Sequence, residues 1–109
     1  MVQMTPLPVA GGTALGITVD LPGTRLVIAT TDTGYLMCGA LDIDLLDTRL
    51  AERRIVAGRT LGVRTLDDLR TRPLEAVTAA AYALGLRAGM RGEEALALLL
   101  SAPTPGTPG

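Results

Sequence analysis

The sequence predicts an α+β domain: a mixed sheet of four or five strands, a crossover helix, and C-terminal helices packed on one face. Three observations lead there. Residues 15–21 alternate, with Leu15, Ile17, Val19 and Leu21 on one side and Gly16, Thr18 and Asp20 on the other, the period of a half-buried strand. Apolar strand-like runs at 25–31, 35–40 and 55–63 are separated by turn residues and by one helical stretch. Beyond Thr65 the spacing becomes helical.

Taken in order, Pro22-Gly23 is a turn signal that closes the first of these strands. Residues 25–31 form a second strand with apolar groups on both faces, and Thr31-Asp32-Thr33-Gly34 makes a hairpin-type connection to a central third strand at 35–40. The period changes over 42–53, where Ile43, Leu46 and Leu50 make one helical stripe. Asp42 suits its N-cap, Asp44 adds negative charge to its first turn, and Arg49, Arg53 and Arg54 complement the dipole at its other end. A fourth strand is expected over 55–63, with Gly58 and Gly62 on one face and Arg59 on the opposite one. Strand, helix and strand across 35–63 imply a right-handed crossover and a partly parallel sheet.

Thr65 and Asp68 resemble a capping box with Asp in place of Glu. Pro73 suits the first turn of a helix reaching Leu84, with Leu74, Val77, Ala81 and Leu84 inward and Gly85 as its stop. Gly92-Glu93-Glu94 opens a last helix to about Leu100. Its Leu98-Leu99-Leu100 run is wider than one stripe needs, which suits cover by a second subunit. Residues 2–12 offer a further short edge strand. The chain thus reads as one domain over 1–101 and a disordered Pro/Thr/Gly tail over 102–109.

The 109 residues are 48% apolar but only 2% aromatic, so the core is aliphatic and few rings are available to stack on nucleobases. The net charge is −1, and all ten basic residues are arginines with no basic block, which argues against nucleic-acid binding. One cysteine excludes an intrachain disulfide framework and suits a reducing compartment. The N-terminus lacks the basic, apolar character of a leader, and no uncharged apolar run reaches the ~18 residues of a membrane span. A cytoplasmic protein without membrane contact is expected. Gly11-Gly12-Thr13 and the Gly58–Gly62 pair match neither a phosphate-binding loop nor a dinucleotide fingerprint, and no metal-ligand spacing is present. Neither a cofactor nor a metal is expected.

The stretch Gly34-Tyr-Leu-Met-Cys-Gly-Ala-Leu-Asp42 resembles the signature of the YunC-like family, a domain-of-unknown-function group of small bacterial and archaeal proteins. The similarity continues in Ile55-Val-Ala-Gly-Arg-Thr-Leu-Gly-Val-Arg-Thr65 and in Gly89-Met-Arg-Gly-Glu-Glu-Ala-Leu96, and spans about Met4 to Leu100. The resemblance implies a small α+β domain and no particular reaction.

Cys38 is the candidate catalytic group. A thiol at a strand-to-helix junction can be activated by nearby backbone N–H groups, and Gly39 would let a ligand approach. The competing reading is a small buried hydrophobe beside close packing. With no histidine in the chain, a Cys-His-Asp mechanism is excluded. Gly39, Asp42, Arg59 and Arg64 are the candidate anion-binding residues, since paired guanidiniums can hold a carboxylate or phosphate. Ion pairs of the arginines with Asp42, Asp67 or Asp68 are the structural alternative. Asp20, Asp32 and Asp42 suit turns and caps better than acid/base work, and Tyr35 suits ring packing. Two functions follow: a homo-oligomeric structural or interaction protein, or a small-anion-binding protein or enzyme centred on Cys38–Asp42 with Arg59 and Arg64. A thiol redox role lacks a second, resolving cysteine.

Overall fold

The computed structural model describes residues 1–39 and 42–101. Six strands form one sheet in sequence order: β1 Val2–Val9, β2 Gly12–Leu21, β3 Thr24–Thr30, β4 Tyr35–Met37, β5 Ala57–Arg59 and β6 Ala76–Val77. Every neighbouring pair is antiparallel except β4 and β5, which run parallel. Between them come the short helix α1 Ile43–Asp47 and a 3₁₀ turn Ala51–Arg53. Helices α2 Leu66–Thr71, α3 Ala79–Ala83 and α4 Gly92–Ser101 follow. The fold is α+β with a mixed sheet, as the sequence predicts, though with one strand more than expected. No helix among the described residues is long and apolar enough to cross a membrane.

The extra strand is β6. Pro73 does not open a helix: it bridges to Arg91, and the chain stays extended through Val77 before Thr78 caps α3. Backbone pairing outcompeted helix propensity here, since Glu75 N–H donates to the Arg59 carbonyl and Thr78 N–H to that of Ala57. The helix is therefore five residues long, and Leu84 is 37% exposed rather than inward. Gly85 does end it: Gly85 N–H reaches the Tyr82 carbonyl and Leu86 N–H that of Ala81, a Schellman closure. The stretch expected as one helix over 42–53 is likewise split, into α1 and the 3₁₀ turn. The strand expected over 55–63 shrinks to Ala57–Arg59, and Gly62 sits in a turn at φ +74° instead of sharing a strand face with Gly58.

The helix-side core joins the inner side of the sheet to leucines of α2 and α4 and of the segments after α2 and α3. Ala14, Val27, Ala29 and Leu36 meet Leu69, Leu74, Leu86, Leu96 and Leu99. Fully burying one such leucine is worth about 2 kcal/mol. Gly16 makes room for Leu66 of α2, because a Cβ there would lie 2.6 Å from Leu66 Cδ1 and displace that side chain. Gly92 lets α4 touch α2 backbone to backbone, with no room for a Cβ against the Leu69 carbonyl. The Arg70 guanidinium then links Asp67 at 2.6 Å and Glu93 at 2.7 Å across the two helices. Leu99 of the Leu98-Leu99-Leu100 run is fully buried inside this core, and Leu98 and Leu100 are half-buried.

A smaller cluster lies against the other face at β4 and β5, where Ile43 and Leu46 of α1 cover Ala57. The fully buried Thr78 hydroxyl holds this end together. It donates to the Ile55 carbonyl at 2.7 Å and accepts from the N–H groups of Ala57 and Ala81, both at 3.2 Å. Asp47 adds a second tie by accepting from Ala79 N–H at 2.9 Å.

Replacing Thr78 with Val should cost about 2–4 kcal/mol, because three buried backbone groups lose their partner. Thr78→Ser should recover most of that. Urea denaturation of the two variants checks it; equal stabilities would show that the hydroxyl contributes little.

Candidate functional site

The junction between β4 and α1 places Cys38 immediately after the strand, where its N–H donates to the Val27 carbonyl at 3.1 Å. Cys38 is 6% exposed and belongs to the helix-side core. Gly39 is exposed, with Leu61 Cδ2 3.2 Å from where a Cβ would be. Asp42 accepts from Leu45 N–H at 3.0 Å, a capping contact. Residues 40 and 41, within the signature stretch, lie outside the described residues, as does the 102–109 tail.

Across the parallel pair, Met37 stands beside Arg59, and Thr60 N–H donates to the Met37 carbonyl at 3.0 Å. Alternation along the strands therefore puts Arg59 with Met37 on one face and Thr60 with Cys38 on the other. Arg59 pairs with Glu75 at 2.7 Å. Asp42, Asp67 and Asp68, the carboxylates considered for it, cap Leu45, pair with Arg70 and contact Arg72 respectively. Arg64 is exposed. Its carbonyl accepts from Arg25, and its N–H donates to Asp68 Oδ2 at 3.1 Å. The fold thus brings Cys38, Gly39 and Asp42 to one corner but sets Arg59 on the opposite face of the sheet.

The capping box at Thr65 forms with a shift. Thr65 Oγ1 accepts from Asp68 N–H at 3.1 Å, while the Asp68 carboxylate reaches back to Arg64 N–H. That backbone hydrogen bond, with those from Thr65 and the charge of Arg72, holds the Asp68 carboxyl below the usual aspartate range. Asp20 pairs with Arg25 at 2.6 Å, and Asp32 is an exposed turn residue. Tyr35 is half-buried, and burial pushes its phenol upward.

Sequence reasoning missed three groups. Thr60 is fully buried, and its hydroxyl has no hydrogen-bond partner among the described residues. Thr33 is 8% exposed and stands between two hollows, one of about 500 Å³ beside α3 and one of about 260 Å³ beside the β3–β4 turn. Arg54 borders both, in the left-handed region at φ 50°, ψ 50°. A non-glycine residue there costs about 1 kcal/mol. The Arg53-Arg54 doublet was visible in the sequence, but it read as a complement to a helix dipole.

A family model described as a domain of unknown function, DUF1805, matches residues 37–99, from the last residue of β4 through β5, β6 and α3 to most of α4. The chain belongs to this YunC-like, DUF1805 family. It is 52% identical over 96 residues to "Uncharacterized protein YunC" of Bacillus subtilis (strain 168), covering 88% of this chain and 95% of that protein. A crystal structure of a protein of unknown function, TA1206 from Thermoplasma acidophilum, shares the fold with a TM-score of 0.80. That likeness covers 91% of this chain and 93% of the other at 24% identity.

The depressed Asp68 carboxyl has a pH consequence. Its contribution to stability is present above the unfolded value near ~3.9 and is lost as pH falls through the lower folded value. Asp68→Asn should therefore flatten stability-versus-pH below about pH 4, measured by thermal denaturation. A wild-type slope retained in the variant would contradict the assignment.

Proposed function

We propose that the chain acts as a homo-oligomeric structural or interaction protein, assembled through the face of β1–β3 that its own helices leave open. The observation that carries this is the direction in which β2 turns its two sides. Its small and polar side, Ala14 and Gly16, faces the helices, whereas Leu15 is 39% exposed and Leu21 47% exposed on the outer side. The register extends that outer side into aliphatic rungs: Val2, Val19 and Leu26; then Met4, Ile17 and Ile28. Val2 is 59% and Met4 69% exposed, and no charged side chain interrupts either rung. A contiguous aliphatic face of this kind favours burial against another sheet about 10 Å away.

The geometry also favours a face over an edge. Pro6 and Pro8 share one alternation of the outermost strand and leave it short of two N–H donors. An added strand would find an incomplete ladder there. The buried, unpaired Cys38 suits a reducing cytoplasm.

Light scattering on a sizing column is the direct check. The wild type should elute as an oligomer. Ile17→Glu, which puts a carboxylate into the face, should weaken association by at least about 100-fold with an unchanged circular dichroism spectrum. Leu45→Glu on α1 should not alter the mass. A monomeric wild type, or an oligomeric Ile17→Glu, would refute the proposal.

A small-anion-binding protein or enzyme at Cys38, Gly39 and Asp42 is the second reading, without Arg59, which lies on the opposite face of the sheet and pairs with Glu75. The Thr60 hydroxyl favours it, being buried, unpartnered among the described residues, and on the Cys38 side at the carboxyl ends of two parallel strands. Phosphate titration should then shift the Gly39 and Thr60 amides, and the native Cys38 thiol should react with iodoacetamide. Unmoved amides and a thiol silent until unfolding would remove this reading.

A further inference from the structure

The β3–β4 turn, the 3₁₀ turn and α3 enclose two hollows that share a wall. The larger, about 500 Å³, is bounded by Leu46, Ala80 and Ala83. The smaller, about 260 Å³, is bounded by the turn and by Arg53 and Arg54. Thr33, Arg54, Ile55 and Val56 border both, so the two adjoin. One end is therefore aliphatic and the other polar.

The polar end carries an excess of positive charge. Two guanidiniums, Arg53 and Arg54, stand there against one carboxylate, Asp32. Among the described residues neither arginine is in an ion pair. Asp47, at the aliphatic end, is engaged by Ala79 N–H. Thr33 supplies a second, independent signal. It is more than nine-tenths buried, yet its hydroxyl forms no hydrogen bond among the described residues, although its neighbour Thr31 forms several. The hydroxyl still reaches solvent, because Thr60 alone among the described residues has a fully buried hydroxyl without a partner, so Thr33 is free to bond what enters the hollow. Arg54 borders both hollows from a left-handed backbone, which glycine would accept more easily.

We propose that the two hollows form one site for a short aliphatic carboxylate, with its carboxylate at Arg54 and Thr33 and its hydrocarbon chain along Ala80, Ala83 and Leu46. A guanidinium fork and a hydroxyl match the donors that a carboxylate needs. The alanines leave space that a larger side chain would fill. An aliphatic tail buried there gives affinity, and the polar groups fix its direction. The site is separate from the open face of β1–β3 and does not depend on assembly through it.

Sodium hexanoate and its neutral counterpart hexanamide are the probes, read by amide chemical shifts of the full chain at neutral pH. Hexanoate should shift Thr33, Arg54, Ala80 and Ala83 with a Kd of about 1 mM, and hexanamide should bind about tenfold more weakly. Arg54→Gln should weaken hexanoate about tenfold, while Arg87→Gln, outside the site, should leave it unchanged. Arg54→Gly separates contact from folding: it should be at least as stable as the wild type, since glycine accepts the positive φ, and bind as weakly as Arg54→Gln. Three results would overturn the proposal: no shifts at about 50 mM hexanoate, well above that Kd; hexanamide binding as tightly as hexanoate; or Arg54→Gly retaining full affinity.

Discussion

Ala14, Gly16, Val27 and Ala29 are buried on the side of β2 and β3 that meets the helices, with Gly16 against the methyl groups of Leu66, and the exposure of the other side follows from that choice. Small residues on the helix side of β2 and β3, namely Ala14, Gly16 and Ala29, admit α2 and α4 close to the strands. Packing at that distance removes the helix leucines from water. The alternation of a strand then leaves no choice about the other side. Once Gly16 points at the helices, Leu15, Ile17, Val19 and Leu21 must point away from them. The chain covers that second side at β4 and β5 with α1, and leaves it open at β1–β3. The proposal of assembly rests on this imbalance.

Much of the local architecture was legible in the residues. The alternation of 15–21, the Pro22-Gly23 turn, the parallel crossover, the Thr65–Asp68 cap and the stop at Gly85 all have counterparts in the structure. These signals are local: each depends on a few adjacent side chains and their backbone. Strand alternation does not carry the choice of covered face. It identifies two sides of β2, and the usual expectation points the apolar one inward. Here the inward side is the one with glycine and alanine, because close helix approach is settled by residues far away in sequence, such as Leu66. The two-residue β6 was hidden for a similar reason. Its pairing partner is Gly58-Arg59, and nothing within 73–78 announces it.

The candidate chemistry divides along the same plane. Cys38 and Thr60 belong to the helix side, while Arg59 stands with Met37 on the opposite face and pairs with Glu75. Sequence proximity to the parallel pair drew these residues together, and strand parity separates them. The hollows beside α3 were not visible at that stage because they depend on three segments distant in sequence. Thr33, Arg54 and the α3 alanines are each unremarkable alone. What distinguishes them is that, among the described residues, a threonine hydroxyl without a hydrogen bond and an arginine without an ion pair border the same two hollows.

The central claim is that the outer side of β1–β3 is closed by a second copy of the chain. Nuclear Overhauser contacts between a ¹³C-methyl-labelled chain and an unlabelled one, mixed and reassembled, report that closure atom by atom. The account predicts intermolecular contacts from the methyl groups of Met4, Ile17 and Ile28. An associated protein whose intermolecular contacts come from α4 instead, or a mixture with none at all, would contradict it.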